Sequence, residues 1–216
     1  MVAKKVLTEL PNKAQLKYLC QSLAMLDAIM EPEWDFRYCS FNAKWSAGEM
    51  LAMMRNGGGD EYYTFFNEYG AIIKGFDHES EMNLCDEPGE VWKGVLDNVP
   101  KEFEFFLTDE AFPREYTTFC LWRLDSEDVW KTGNILYPEN DEKADGSNWL
   151  LFLLDGKPET YRDWAKSYYE RDFDIEIVEK IYRREPLTEE IIKVLNPKRS
   201  LADLREDAKE IDYPLL

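Results

Sequence analysis

Leu16, Leu19, Cys20, Leu23, Leu26 and Met30 recur at three- and four-residue spacing until Pro32 ends the run. That period predicts a helix with one apolar face, and Asn12 stands ahead of it as an N-cap. The face is expected to pack on the rest of the protein.

From Glu33 the period falls to two. Trp34, Phe36, Tyr38 and Ser40 alternate with Asp35, Arg37 and Cys39, which predicts a strand. Met50 to Arg55 reads as another, because the run from Asn56 through Gly57, Gly58 and Gly59 to Asp60 is a strong turn. Beyond it, Tyr62 to Phe66 is rich in residues that suit a pleated surface. Asn67 to Gly70 is a second turn, and Ala71 to Phe76 returns as the next strand. Connections this short join antiparallel neighbours, so a meander is expected.

The middle of the chain is less regular. Glu79 to Pro88 reads as an exposed acidic loop, and Pro100 with Phe103, Phe105, Phe106 and Leu107 as a short helix with a buried aromatic side. Tyr116 to Arg123 alternates like a strand, with Trp130 to Tyr137 as its partner. Residues 138–146 read as a solvated link. Trp149 to Leu154 is too short to divide between helix and strand. The last third carries helical spacing: Tyr161, Trp164, Ala165 and Tyr168 share one face, followed by Ile175 to Tyr182, a segment capped at Thr188, and one capped at Ser200. Pro186 and Pro197 separate these units.

These elements add up to the α+β class: an N-terminal helix, a mostly antiparallel sheet of about five strands and a helical C-terminal third. Residues 1–216 are expected to form one unit with a soft boundary near 138–146. A chain of 216 residues with 44% apolar content can bury a core of useful size.

Charge changes the picture. The formal net charge is −18, and between Asp60 and Asp128 there are 18 acidic residues against 5 basic ones. Such a field repels nucleic-acid phosphates and anionic lipid and speeds the approach of basic partners. No nucleic acid and no membrane are therefore expected as partners. Acidic residues also lie beside aromatic ones, as at Glu61 with Tyr62 and Glu102 with Phe103, a pairing suited to gripping arginine and lysine. The charged surface is placed on Asp77, Glu79, Glu81, Asp86, Glu87 and Glu90. The bland reading of the same residues is a solubilising surface over an aromatic core.

No apolar signal segment follows Met1, and no run approaches a membrane span. The four cysteines lack CxxC spacing and read as reduced thiols. A cytoplasmic location is expected.

Candidate chemistry is sparse. His78 is the single histidine and lies in the run Asp77, His78, Glu79. Two carboxylates and an imidazole suit a divalent ion or acid–base chemistry, which gives the alternative of a metal-dependent hydrolase or small-molecule binder. Consecutive strand residues point to opposite faces, so convergence needs a sharp bend. The three glycines lack phosphate-loop spacing, and Asp60 and Glu61 beside them would repel phosphate. No catalytic motif, cofactor or resident metal is expected.

The run from Asn56 to Ser80, NGGGDEYYTFFNEYGAIIKGFDHES, followed by VPKEFEFFL at Val99 to Leu107, resembles the central pattern of the SUKH superfamily of bacterial immunity proteins. Stretches such as WSAGEMLAMMRNGGGD and PLTEEIIKVLNP also resemble a group of uncharacterised bacterial proteins. The first resemblance implies a mixed helix-and-sheet protein that neutralises a toxin by occlusion, without catalysis. The functional expectation is thus an acidic binding module for a basic protein partner, with a regulatory or structural subunit as a further alternative.

Overall fold

The computed structural model describes residues 3–216; Met1, part of the segment read for a signal sequence, lies outside them. A short helix, α1 (Ala3–Glu9), precedes α2 (Lys13–Met30). Asn12 caps α2 as expected. Its side chain accepts from the Gln15 N–H at 3.0 Å while the Gln15 side chain accepts from the Asn12 N–H at 3.3 Å.

Six strands follow: β1 (Cys39–Ser46), β2 (Glu49–Arg55), β3 (Glu61–Phe66), β4 (Gly70–Phe76), β5 (Phe119–Leu124) and β6 (Lys131–Thr132). They pair in chain order and antiparallel throughout, the meander that the short turns predict. Between β4 and β5 lies α3 (Glu104–Thr108). The remaining helices are α4 (Ser147–Leu150), α5 (Pro158–Tyr168), α6 (Ile175–Tyr182), α7 (Glu189–Leu195) and α8 (Arg205–Ile211).

The sheet is buried on both faces. One face, carrying Phe41, Ala52, Phe66, Ile73 and Leu121, packs with α2 and the C-terminal helices in one apolar cluster. The other, carrying Leu51, Phe65, Ile72, Cys120 and Trp122, is covered by the connection from β4 to β5 through Met82, Val95, Phe103, Phe106 and Phe112. Phe65 and Phe106 stack with ring centroids 5.1 Å apart. Burying each such ring contributes about 2–3 kcal/mol, so the acid-rich connection is fixed as a layer.

Several expectations are corrected. Trp34–Phe36 is a turn of 3₁₀ helix, and the strand begins only at Cys39. The cause is Arg37, drawn inward to Asp207 at 2.7 Å and to the Glu31 carbonyl at 3.0 Å, which curls the chain before it. Trp130 to Tyr137 supplies only the two residues of β6, because Leu136 instead donates its N–H to the Lys93 carbonyl. In Trp149 to Leu154, which the sequence leaves open between helix and strand, the chain is helical. Ser200 bonds Asp203 through its N–H and hydroxyl, and α8 starts later, at Arg205.

The long helix also differs from a one-faced surface helix. Every residue from Leu19 to Met30 is buried, because α6 and α8 contact the helix whose apolar side meets β1. Its polar residues find distant partners: Gln21 donates to the Ile211 carbonyl, Ser22 to the Ile181 carbonyl, and Asp27 accepts from Tyr161. The supposed link at 138–146 is likewise tied down, with Asp145 buried and the Ala144 carbonyl accepting from Ser80. All four cysteines are free thiols, as read from their spacing.

Candidate functional site

The β2–β3 turn is built by Asn56. Its Oδ1 accepts from the N–H groups of Gly58 and Asp60, and its Nδ2 donates to Asp60 Oδ2 at 2.5 Å. The glycine run is thus a hairpin turn. Gly59 has φ +111°, and a Cβ there would lie 3.3 Å from His78 Cγ, so glycine lets the imidazole rest against the turn.

His78 follows the end of β4. Its ring Nδ1 lies 2.7 Å from Asp60 Oδ1, and its own backbone N–H donates to that same oxygen at 2.9 Å. The Asp60 side chain is 4% exposed and the His78 ring 44%. The hydrogen bond to Asp60 raises the imidazole pKa above its usual value, against a smaller opposing effect of burial. Burial works against ionisation of Asp60, yet the two His78 contacts and Asn56 outweigh it and hold the carboxyl below its usual range.

Asp77 sits beside this pair at 7% exposure. Its Oδ1 accepts from the Glu79 N–H at 3.0 Å and its Oδ2 from Trp149 Nε1 at 2.9 Å. Asp77 donates its own N–H to Thr118 Oγ1, whose hydroxyl donates to the Asp145 carbonyl. Burial pushes Asp145 up to about 6, resisted by two bonds from Ser147 and one from Tyr137, with the charge of Asp77 adding to the rise. Gly146 has φ +81° and would place a Cβ 2.4 Å from Asp77 Oδ2.

The sequence groups Asp77, His78 and Glu79; the fold brings together Asp60, Asp77 and His78, whose ligand-type atoms lie within 4.8 Å of one another. The chain bends just after β4, which supplies the turn that convergence requires. Glu79 swings outward, 85% exposed, with Oε1 4.0 Å from His78 Nε2. Asp60 was within reach of sequence reasoning: Glu61 pairs with Phe76, so one step further from the turn sets Asp60 opposite Asp77. Trp149 and Asp145 carry no such signal, since they arrive from a distant segment.

Of the residues proposed for the charged surface, Glu79, Glu81, Asp86, Glu87 and Glu90 are exposed, whereas Asp77 is inside, engaged with Trp149 and Glu79. They belong to the layer over the second sheet face. That layer, residues 77–115, holds 12 acidic and 3 basic residues. Among the described residues, only Glu79 of the twelve has a charged partner within 4.0 Å, and that partner is His78. The helical third is different: Glu176 pairs with Lys180, Glu179 with Arg183, Glu189 with Lys193 and Asp172 with Lys166. Among the described residues, eight of the fifteen acids of residues 158–216 have a cationic partner within 4.0 Å, against one of twelve in residues 77–115.

A cavity of about 510 Å³ lies on another side of the glycine turn, lined by Glu31, Phe36, Arg37, Arg55, Gly57 and Tyr168 among others. It includes none of Asp60, Asp77 or His78. Among the described residues no helix is long and apolar enough to cross a membrane. In comparisons with protein-family models, curated proteins and solved structures, the chain matches none.

Proposed function

We propose that this chain is a binding protein whose acidic layer covers a basic site on another protein. The observation that carries this reading is that, among the described residues, eleven of the twelve acids of residues 77–115 have no charged partner within 4.0 Å, whereas acids of the C-terminal helices such as Asp172, Glu176, Glu179 and Glu189 do. Unpaired carboxylates on one layer sum to a field that attracts a cationic surface and rejects phosphates. The aromatic packing beneath them holds the layer in place, so binding requires little ordering of the chain. The SUKH-like pattern supports a toxin as that partner, neutralised by occlusion.

The reading is tested by titrating the full chain with a lysine-rich peptide at rising salt. Affinity is expected to fall steeply between low and physiological ionic strength, where the screening length shrinks to roughly 8 Å. Affinity independent of salt would contradict it.

A further inference from the structure

Buried charge is normally paired or bound to a metal. Asp60 and Asp77 are 4% and 7% exposed, and among the described residues no lysine or arginine comes within 4.0 Å of either. Asp145, 1% exposed, stands next to them through Thr118 and Gly146. Among the described residues, the His78 imidazole, 2.7 Å from Asp60, is the only cationic side chain within 4.0 Å of either carboxylate, so two buried carboxylates share at most one positive charge.

We propose that Asp60, Asp77 and His78 bind one divalent transition-metal ion, with His78 Nδ1 and one oxygen of each aspartate as ligands. Nitrogen and carboxylate oxygen bind zinc at about 2.0–2.2 Å, so two donors on one tetrahedral ion stand roughly 3.4 Å apart. The Asp60–His78 contact of 2.7 Å opens slightly to admit the ion, while the widest spacing of the trio, within 4.8 Å, closes. Starting from the imidazolium, which carries a proton on each ring nitrogen, the ion takes the place of the proton between Nδ1 and Asp60 Oδ1, and that proton leaves to solvent. The remaining ring proton then sits on Nε2, facing the Glu79 carboxylate at 4.0 Å. At that distance and 85% exposed, Glu79 makes no hydrogen bond to the ring and adds only a nearby negative charge. Trp149 Nε1, the Glu79 N–H, Asn56 Nδ2 and the His78 N–H already fix the two aspartates from behind.

Calorimetric titration of the chelator-treated full chain with zinc chloride tests this. One ion per chain is expected, with release of a proton that shows as a buffer-dependent heat. His78→Ala and Asp60→Asn should each weaken binding at least about 100-fold, and Glu79→Gln less than about threefold. Circular dichroism melts establish that the variants fold, and Asp60→Asn preserves the size of the side chain should the turn depend on it. Cys85, the one thiol not fully buried, is the rival ligand, so Cys85→Ser should leave binding unchanged. Absence of saturable binding, equal affinity in folded His78→Ala, or loss in Cys85→Ser would each overturn the assignment. Binding of the lysine-rich peptide by His78→Ala stays at the wild-type level, so failure here leaves the acidic-layer reading intact.

Discussion

His78 Nδ1 lies 2.7 Å from Oδ1 of Asp60, a carboxylate almost sealed from water, and the imidazole is the only one in the chain. Because the hydrogen bond favours the imidazolium, the ring pKa stands above its usual value in the folded state. The stability it contributes is full below the unfolded value of about 6.5 and is lost as pH rises through the folded value. A proton NMR titration of the single histidine should give a midpoint above 6.5, and Asp60→Asn should return it toward that value. An unchanged midpoint in the variant would show that Asp60 does not set it.

Asp27 behaves in the opposite chemical sense. It lies fully buried in α2, accepting from the Cys39 N–H at 2.6 Å and from the Tyr161 hydroxyl at 2.9 Å. Burial pushes it up to about 7, with those two bonds resisting the rise. The unfolded chain releases this proton near pH 4, so stability falls as pH rises from about 4 to 7 and levels beyond. The full span is on the order of 4 kcal/mol. Urea unfolding at pH 5 and pH 8 should show the loss in the wild-type chain and a smaller one in Asp27→Asn. Equal slopes in the two proteins would refute the assignment.

Gly146 carries Asp77 against its backbone. A methyl group there meets the carboxylate at 2.4 Å and must also adopt φ +81°, so Gly146→Ala combines steric displacement with left-handed strain. A destabilisation of about 2–3 kcal/mol is expected from a chemical melt. If Asp77 holds the corner, the Trp149 indole should become more exposed, which fluorescence reports. A neutral substitution would mean that the corner yields freely.

Much of this arrangement is legible in the sequence where the controlling contacts are local. Asn12 declares the start of α2, the Asn56 to Asp60 run declares its turn, and turn lengths fix the order β2, β3, β4. Counting from the Asn67 to Gly70 turn even sets Asp60 beside Asp77. What is not legible depends on distant partners. Gln21, Ser22 and Asp27 read as the polar side of a surface helix, yet each is satisfied by the far C-terminal part of the chain. Alternation at Trp34 to Ser40 reads as a strand until Arg37 is seen bound to Asp207. Lys74 gives no hint in the sequence that it is buried, with Nζ donating to the carbonyls of Phe112 and Pro113. The unpaired state of the acids in residues 77–115 is also a tertiary fact, since composition alone cannot separate them from the paired acids of α6 and α7.

That difference is open to direct measurement. Two variants of equal charge change separate it: one with Glu79, Glu81, Asp86, Glu87 and Glu90 converted to their amides, the other with Asp172, Glu176, Glu179, Glu189 and Glu206, the last paired with Lys209 at 3.5 Å, converted likewise. The affinity of each for a lysine-rich peptide at low salt is compared with that of the wild-type chain. The acidic-layer account predicts a loss of about tenfold or more in the first variant and less than about twofold in the second. Equal losses in both would show that net charge alone, and not a face of this protein, does the binding.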